Sequence, residues 1–386
     1  MKPSRAPQMF ITAMHMHHWR NFRGPVDVRL RRRAFLIGPN ASGKSNVLDA
    51  LRFLRDTAGQ GLKEAVRTRG GMGEIRTLQA RTPAGLKLGV HVGTDDTPQM
   101  WTYVLRFRNH PQKHLPVVME EEVRRRDELV LKRPDAADRG DPERLAQTYL
   151  EQIVVNQDFR DLAEFLKSIR YLHIVPHLVR DPERSIGRHD DPFGGDFLEK
   201  VASTPTKTRD ARLRKINNAL KIAIPQFDSL TLQQDAGGRW HLEARFSHWR
   251  HSAARQYERS FSDGTLRLIG LLWSVAEGGG PLLLEEPELA LHDALVRHLP
   301  RFMARMHTKS GRQVLVTTHS AALLADAGIG LDEVHVLDPD SQGTEIKVGR
   351  SYPDVRAMVE EGGLSIGTAL LPKAAPANAD QFRFDF

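Results

Sequence analysis

Two kinds of hydrophobic pattern divide the chain. In residues 9–36 and 86–106, apolar and polar residues alternate over short stretches, with turn residues such as Asn21 and Gly24 between them. A period of two residues is typical of strands that bury one face. The sequence therefore predicts a series of strands in the first third of the chain, a short apolar strand at residues 35–37 and a further strand within residues 120–130.

Helical spacing appears in other stretches. In residues 44–56 apolar residues recur at intervals of three and four, which predicts a helix with one buried face: Val47, Leu48, Leu51 and Leu54. Residues 145–220 are predicted to be mostly helical, with a loop at 181–195, and the turn at 236–238 predicts a hairpin. Glycine, arginine and other polar residues predict loops at 59–73 and 134–142. Helices and strands then alternate, with predicted helices at 265–277, 290–306 and 320–327, and predicted strands at 281–284, 313–317, 334–337 and 344–348.

A phosphate-binding loop lies between the strand at 35–37 and the first helix. Its residues are Gly38, Pro39, Asn40, Ala41, Ser42, Gly43, Lys44 and Ser45. Glycines allow the backbone N–H groups to turn toward phosphates, and the following helix directs its positive end at the same charge. We expect Lys44 to reach the β- and γ-phosphates of ATP and the Ser45 hydroxyl to bind Mg²⁺. A chance match is the alternative, but the strand–loop–helix context favours the functional interpretation.

The predicted strand at 281–284 leads directly into Glu285 and Glu286. A strand that is buried on both faces delivers such residues to the edge of the sheet where a phosphate loop also lies. Glu285 can hold Mg²⁺ through water, and Glu286 can orient and deprotonate the attacking water. A solvated acidic turn is the alternative interpretation, and the phosphate loop favours the catalytic one.

A second anion-binding helix start is formed by Ser262, Asp263 and Gly264. Within one chain it duplicates the phosphate loop, so it makes sense if it closes over the γ-phosphate bound to a partner copy. Ordinary N-capping by Ser262 or Asp263 is compatible with this role. His319 lies where the predicted strand at 313–317 meets the next helix. It is a candidate for sensing the γ-phosphate or holding the attacking water, with a purely structural histidine as the alternative.

The order of these motifs resembles the ABC-type ATPase heads of the RecF/SMC class. It is most similar to the stand-alone bacterial AAA family ATPases with ABC-like motifs that occur in OLD-type and antiphage-defence systems. The similarity covers residues 9–58 and 255–340. It implies an α/β P-loop NTPase fold, with a mixed sheet flanked by helices and an inserted helical lobe. The implied divisions are an N-terminal core at 1–110, the lobe at 111–250, a C-terminal core at 251–350 and an extension with a tail at 351–386.

The resemblance also assigns roles to residues. It implies the following set: Lys44 and Ser45 with the adjacent Asn46 as Walker A, Glu285 as Walker B, Glu286 as the catalytic glutamate, Ser262 to Gly264 as the signature, His292 in the D-loop, His319 as the switch histidine, and Arg23 as a nucleotide contact. The Q-loop residue is not placed by the resemblance, and Gln79 is the best candidate for it. Two positions depart from the wider ABC pattern. The signature is Phe-Ser-Asp-Gly-Thr instead of Leu-Ser-Gly-Gly-Gln, and Glu285 replaces the usual aspartate.

Composition further limits the classes of protein to which this sequence can belong. The chain has 386 residues, no cysteine and a net charge of +8. The absence of cysteine excludes disulfides and thiolate metal sites and fits a reducing, cytoplasmic setting. No stretch approaches the roughly 20 apolar residues that a membrane span needs. The positive charge permits DNA binding, and basic residues cluster at 31–33, 67–69, 124–126 and 207–221, although solvated basic faces are an equal alternative.

The spacing of motifs selects among functions. The long heptad arms of SMC proteins are not visible between Lys44 and Ser262. From the few residues after the last predicted strands we expect no nuclease domain of the OLD type. We therefore expect a homodimeric ATPase that gates a separate, nuclease-like effector in antiphage defence. The alternative is a RecF-like DNA repair ATPase. The tail at 373–386, with three alternating phenylalanines, is either a strand donated to a partner or a disordered end.

Overall fold

The computed structural model describes residues 8–77, 85–181, 191, 193–247, 254–341 and 343–376. The chain forms two compact units. The first consists of Met1–Arg170, Gly279–Leu283 and Pro300–Phe386, and the second consists of Tyr171–Gly278 and Leu284–Leu299. The sequence placed the start of the inserted lobe at residue 111, whereas the second unit begins at Tyr171. The difference arises because residues 116–133 form strands that pair with a sheet of the first unit.

The α/β class with a mixed sheet is confirmed. The strands are β1 Phe10–His17, β2 Val26–Arg29, β3 Arg33–Ile37, β4 Leu86–Gly93, β5 Trp101–Asn109, β6 Pro116–Arg125, β7 Glu128–Arg133, β8 Arg170–Leu172, β9 Phe227–Gln234, β10 Trp240–Phe246, β11 Ala254–Tyr257, β12 Leu282–Glu285, β13 Val314–Thr317, β14 Val334–Asp340 and β15 Gly343–Val348. The helices are α1 Lys44–Gln60, α2 Leu62–Arg67, α3 Met72–Ile75, α4 Ala136–Gly140, α5 Arg160–Lys167, α6 Pro176–Arg180, α7 Phe197–Ser203, α8 Thr206–Ala223, α9 Asp263–Glu277, α10 Asp293–Val296, α11 Leu299–Ser310, α12 Pro353–Arg356 and α13 Ile366–Leu370. Within the described residues, none of these helices combines the length and the hydropathy that crossing a bilayer requires.

An antiparallel sheet in the first unit has the order β2-β1-β4-β5-β6-β7. The alternation predicted for residues 86–106 is confirmed as the hairpin β4–β5, in which Val90 lies opposite Tyr103. One face of β5 buries its large side chains, and Phe107 stacks on Phe53 of α1 with 5.3 Å between ring centroids. The helix that follows the phosphate loop is therefore packed against this sheet through its apolar face, which includes the predicted Leu51 and Leu54.

A second sheet carries the strands that end at the candidate site. Its order is β15-β14-β3-β13-β12-β8. Strands β14 and β13 are both parallel to β3, and β15 turns back antiparallel to β14. Because parallel strands end at the same edge, the residues after Ile37 and after Thr317 lie on one side of the sheet. Its central strands are almost wholly apolar and buried, as expected for parallel strands covered on both faces.

The Gln313 side chain joins the two sheets of the first unit. It is 1% exposed. Its Oε1 accepts from the Ile11 N–H at 2.9 Å, and its Nε2 donates to the Ile11 carbonyl at 2.7 Å and to the Arg31 carbonyl at 2.9 Å. This buried amide therefore provides hydrogen-bond partners for the backbone of β1 at Ile11 and links that strand to β13.

The second unit is built from a small antiparallel sheet and helices. Strands β11, β10 and β9 pair in that order, and the hairpin predicted around residues 236–238 is confirmed as β9–β10. Helix α9 is the most apolar helix of this unit and buries Leu266, Ile269 and Trp273. Helix α8 packs against α9 and β9. Together these elements hold the start of α9, which carries the predicted signature.

Two helix predictions near the C-terminal core are wrong in their bounds. The predicted helix at 290–306 is two helices, α10 and α11. Ala290 has a φ of 62°, which no α-helix contains, and His292 caps α10 by accepting from the Ala294 N–H at 3.1 Å. The predicted helix at 320–327 is a turn followed by one short 3₁₀ segment, Leu323–Ala325.

The predicted loops at 59–73 and 134–142 contain short helices instead. Gly61, with a φ of 94°, ends α1, and α2 begins at the next residue. Helix α4 starts with a reciprocal capping box, in which the Asp135 side chain accepts from the Asp138 N–H and the Asp138 side chain accepts from the Asp135 N–H. Helices of this length leave no hydrophobic period in the sequence, so composition alone favoured loops.

Candidate functional site

The phosphate loop joins β3 to α1 in the first unit. Ala41 and Gly43 have φ values of 62° and 97°, and left-handed residues in such a loop turn backbone N–H groups toward a common concavity. At Gly43 only glycine fits, because a Cβ would lie 2.2 Å from Asn21 Nδ2. Helix α1 begins at Lys44 without an acidic residue in its first turn. Its N-terminal end is therefore positive and suited to an anion.

Lys44 is held inside this loop. Its side chain is buried, and Nζ donates to the carbonyls of Gly38 and Pro39 at 3.0 Å each. Ser42 Oγ is also buried, and within the described parts of the chain no hydrogen-bond partner accompanies it. Neighbouring Asn40, Ala41 and Ser45 are exposed. The loop thus combines a buried ammonium, an unsatisfied hydroxyl and a helix start, and this donor set fits a polyphosphate.

Asn21 fixes the loop from outside. Its Nδ2 donates to the Ser42 carbonyl at 2.8 Å and to Thr344 Oγ1 at 2.7 Å, and its Oδ1 accepts from Asn46 Nδ2 at 2.7 Å. Thr344 Oγ1 also donates to the Ser42 carbonyl at 2.9 Å. Trp19 Nε1 donates to the Asn46 carbonyl at 2.9 Å. The strand-turn before the phosphate loop and the start of β15 therefore form a clamp on the loop backbone.

The change Asn21→Ala is expected to weaken ATP binding by about tenfold and to lower the free energy of unfolding by about 1–3 kcal/mol, since it leaves the partly buried Ser42 carbonyl and the Asn46 amide with fewer partners. Titration with a fluorescent ATP analogue and urea unfolding measure the two effects. Asn218→Ala, at an exposed position of α8, is the matched control. Parental ATP affinity in the Asn21 variant would contradict the role of this clamp.

A cavity of about 390 Å³ opens beside the loop, within the first unit. Arg20, Arg23 and Arg76 contribute three guanidinium groups to its wall, and Ala41 and Asn46 form its border with the phosphate loop. Arg20 is oriented by Asp49, since its Nη2 donates to Asp49 Oδ2 at 2.8 Å. The structure therefore places the predicted nucleotide contact Arg23 next to the loop. Further lining comes from Gly73, Glu74 and Thr77, from the start of β15 and from the β14–β15 turn.

His319 follows β13 at the same edge of the sheet as the phosphate loop. Thr317 lies opposite Leu36 in the parallel register, and the Thr318 N–H donates to the Leu36 carbonyl at 3.1 Å. His319 is exposed, and Ser320 begins the following turn by accepting from the Leu323 N–H at 3.1 Å. His319 therefore lies just beyond the predicted strand, at the edge of the sheet to which β3 delivers the phosphate loop. Gln79, the Q-loop candidate, lies outside the described residues.

The signature lies at the start of α9 in the second unit. Ser262 Oγ accepts from the Thr265 N–H at 3.2 Å, so N-capping by Ser262 is confirmed. Ser262 and Asp263 are exposed. Gly264 lies against the Ala290 carbonyl, where an added Cβ would be 2.3 Å from that oxygen. The motif therefore presents a helix start to solvent and requires glycine for its close approach to the segment after β12.

Glu285 ends β12 and Glu286 follows it, and both lie in the second unit. Both are half-buried. Glu286 has a φ of 42°, an uncommon value for a non-glycine residue. The Tyr171 hydroxyl donates a hydrogen bond to Glu285 Oε2. Uncommon backbone conformations of this kind are concentrated at functional sites. Because of this φ value, the chain leaves the extended strand conformation at Glu286.

Glu258 holds the segment that leads into the signature, and the sequence analysis missed it. It is fully buried, its Oε1 contacts His241 Nδ1 at 2.7 Å and its Oε2 accepts from the Leu242 N–H at 2.9 Å. Asp235 contacts the other nitrogen of His241 at 3.2 Å. Both partners lie in β10, 17 and 16 residues before Glu258. No local pattern around Glu258 therefore indicates this anchor.

The residues suit ATP with Mg²⁺. Mg²⁺ prefers hydroxyl, carboxylate and water oxygens. Ser45 carries an exposed hydroxyl at the start of α1, and Glu285 carries a carboxylate at the end of β12, and each group is a ligand of this type. Bound Mg²⁺ supplies charge neutralisation on the phosphates. Among the chain's own groups, Lys44 can orient the phosphates, and Glu286 is the candidate base.

The phosphate loop between β3 and α1, on a mixed sheet flanked by helices, defines a P-loop nucleotide-binding fold. The chain belongs to the family described as AAA domain, putative AbiEii toxin, Type IV TA system, whose model matches residues 33–325. Comparison with curated protein sequences gave no significant match.

Solved structures give the same fold. An SMC head bound to the C-winged helix domain of ScpA superposes with a TM-score of 0.57 at 14% identity, covering 88% of this chain and 97% of that one. The SMC head with an extended coiled coil from Pyrococcus furiosus, bound to the C-terminal domain of ScpA, gives 0.56 at 12% identity, with coverage of 92% and 100%. The SMC head with a coiled coil and joint from Pyrococcus yayanosii gives 0.53 at 10% identity, with coverage of 95% and 100%. At these identities the similarity establishes the fold.

Proposed function

We propose that this chain is an ATPase subunit whose two copies close on ATP and thereby gate a separate effector protein in bacterial antiphage defence. The observation that carries the proposal is the presence of two helix starts suited to phosphate. One is the phosphate loop with buried Lys44, and the other is the exposed signature start of α9, where the acidic Asp263 of the first turn is paired with Arg180. A triphosphate bound to one chain needs only one such helix start from that chain. The exposed helix start of α9 is therefore available to a nucleotide that is bound to another copy.

The nucleoside half of ATP is proposed to occupy the 390 Å³ cavity beside Ala41 and Asn46. A volume in the range of about 300–1,000 Å³ is usual for small-molecule sites. Arg20, Arg23 and Arg76 give its wall planar cations that can stack on a base or bind a phosphate oxygen. In this proposal Glu286 accepts a proton from the attacking water, and His319 holds that water or the γ-phosphate.

A separate effector is supported by the family and by the relatives. The family description names a toxin of a toxin–antitoxin system, which is a two-component arrangement. The SMC heads with this fold were solved with domains of another protein, ScpA, bound to them. We infer that closure of this chain is likewise transmitted to a bound protein, and we propose that this protein is a nuclease.

Affinity purification from the native host tests the proposal. The tagged Glu286→Gln protein is expected to retain a nuclease-like partner in the presence of ATP, and the Lys44→Ala protein is expected to lose it, because only the first can hold the closed state. Mass spectrometry identifies the partner, and a nuclease assay on the eluate tests its activity. Equal recovery of the same partner with both variants would contradict ATP gating, and elution of the chain alone would contradict the effector.

A RecF-like DNA-binding ATPase is the second candidate, favoured by one surface. Lys207, Arg214 and Lys221 are exposed on α8 at seven-residue spacing, which places them along one face of the helix. In that case the tagged protein would retain duplex DNA, and its affinity would fall steeply with salt.

A further inference from the structure

One short segment of the second unit touches both Glu285 and the signature. It runs from Tyr171 in β8 to Arg180 at the end of α6. At its first residue, the Tyr171 hydroxyl donates to Glu285 Oε2. An ionised carboxylate has two oxygens and about four acceptor positions, and a bond to one oxygen fixes how the group is rotated.

The middle of the segment packs on α9 itself. Ile174 is buried, and a Cβ added to Gly270 would lie 2.7 Å from Ile174 Cγ1. Helix α9 therefore carries glycine where Ile174 crosses it, and α6 packs on the same helix. A close-packed contact of this kind transmits a displacement instead of absorbing it, because protein interiors have little free volume.

The end of the segment holds the signature turn. Arg180 Nη2 donates to the Phe261 carbonyl at 2.6 Å and to Asp263 Oδ1 at 2.5 Å. Asp263 is the second residue of the signature and is more than half exposed, whereas Arg180 is about a quarter exposed. Charge-assisted bonds from a partly buried guanidinium are stronger and more directional than neutral ones. Arg180 thus fixes the turn from which Ser262 caps α9.

We propose that the Tyr171–Arg180 segment is a positioning device, which holds the Glu285 carboxylate and the signature turn in a fixed relation within each copy. The inference rests on the proposed function. In a closed dimer each copy applies Glu285 to its own nucleotide and its signature to the nucleotide of its partner. The segment therefore relates the two nucleotide sites, and neither Tyr171 nor Arg180 needs to touch ATP.

Tyr171→Phe tests the first end of the segment. It is expected to raise the Mg²⁺ concentration for half-maximal ATP binding and to lower kcat, each by roughly 10- to 100-fold, which is typical of losing a partner of a metal-binding carboxylate. ATP affinity measured in EDTA is expected to be unchanged, since the phosphate loop is intact. Tyr352→Phe, which removes a hydroxyl in the first unit, is the matched control.

Arg180→Gln tests the other end. In a Glu286→Gln background it is expected to weaken ATP-dependent dimerisation by roughly tenfold or more, measured by analytical ultracentrifugation, while the affinity of a single copy for ATP stays at the parental value. Arg180→Lys should restore only part of the effect, because lysine keeps the charge but is a flexible point charge without the planar guanidinium. Arg214→Gln, exposed on α8, controls for the lost charge.

The combined variant tests whether the segment acts as one unit. If it does, Tyr171→Phe with Arg180→Gln reduces kcat by less than the product of the single effects. Any one of three results would overturn the inference: a combined effect equal to the product of the single effects, parental Mg²⁺ dependence in Tyr171→Phe, or parental dimerisation in Arg180→Gln. Each of these results would leave the proposed ATPase activity of the unmodified protein intact. If the unmodified protein neither hydrolyses ATP nor dimerises with it, the proposed function fails and the inference fails with it.

Discussion

Lys44→Ala is expected to weaken ATP binding by roughly 100-fold or more. The Lys44 ammonium is 6% exposed and reaches over the loop to the carbonyls of Gly38 and Pro39 at 3.0 Å. A buried cation at a helix start exchanges such carbonyl contacts for phosphate oxygens when a nucleotide enters. A charged hydrogen bond contributes about 1.5–3 kcal/mol, and each 1.4 kcal/mol is tenfold in affinity, so two such bonds to the phosphates account for the loss.

Equilibrium titration with a fluorescent ATP analogue measures this effect. Lys63→Ala, at an exposed position of α2 in the same unit, is the matched control and should bind as the parent does. Thermal unfolding separates loss of the site from loss of the fold, since Lys44 makes no contribution to the apolar face of α1. Parental affinity in the Lys44 variant would show that the nucleotide does not use this loop.

The sequence predicts the chemistry of the loop because that chemistry is local. The glycines, Lys44 and Ser45 are set by the strand–loop–helix order, and the apolar residues of α1 and β13 indicate their own elements. The same holds for Ser262, whose capping bond to Thr265 spans one helical turn. Features of this kind need no knowledge of the rest of the fold.

The features that the sequence did not predict depend on contacts between distant residues. Asn21 clamps the phosphate loop through Ser42 and Thr344. Tyr171 reaches Glu285, and Glu258 is held by His241. Each pair joins residues that nothing in the local pattern relates. The predicted start of the inserted lobe differs from the observed start of the second unit for the same reason, since β6 and β7 belong to the first sheet only through the pairing of β6 with β5 and of β7 with β6.

Backbone conformation explains the remaining differences. Glu286 and Ala290 both adopt left-handed φ values, 42° and 62°, without being glycine. Propensity disfavours this, so the sequence predicted that a helix starts at residue 290. The observed turn instead brings the Ala290 carbonyl against Gly264, within the distance that only glycine permits. The segment that carries both glutamates therefore lies against the signature at Gly264.

Glu286→Gln is expected to bind ATP with parental affinity and to lose roughly 10²- to 10⁴-fold in kcat, the usual contribution of a general base. Glutamine has the shape of glutamate, so the left-handed turn at this position and the neighbouring Tyr171–Glu285 bond are unchanged. It cannot accept a proton from the attacking water. Because hydrolysis is then the blocked step, the ATP-bound closed dimer should accumulate.

Three measurements identify this outcome. Phosphate release gives kcat, nucleotide titration gives affinity, and sedimentation with and without ATP gives the dimer fraction. Glu199→Gln, exposed on α7 of the same unit, is the matched control and should leave all three at parental values. Hydrolysis at the parental rate in Glu286→Gln would assign the base elsewhere. A variant that binds ATP, fails to hydrolyse it and stays monomeric would separate hydrolysis from closure, because the blocked step would then hold no second copy in place.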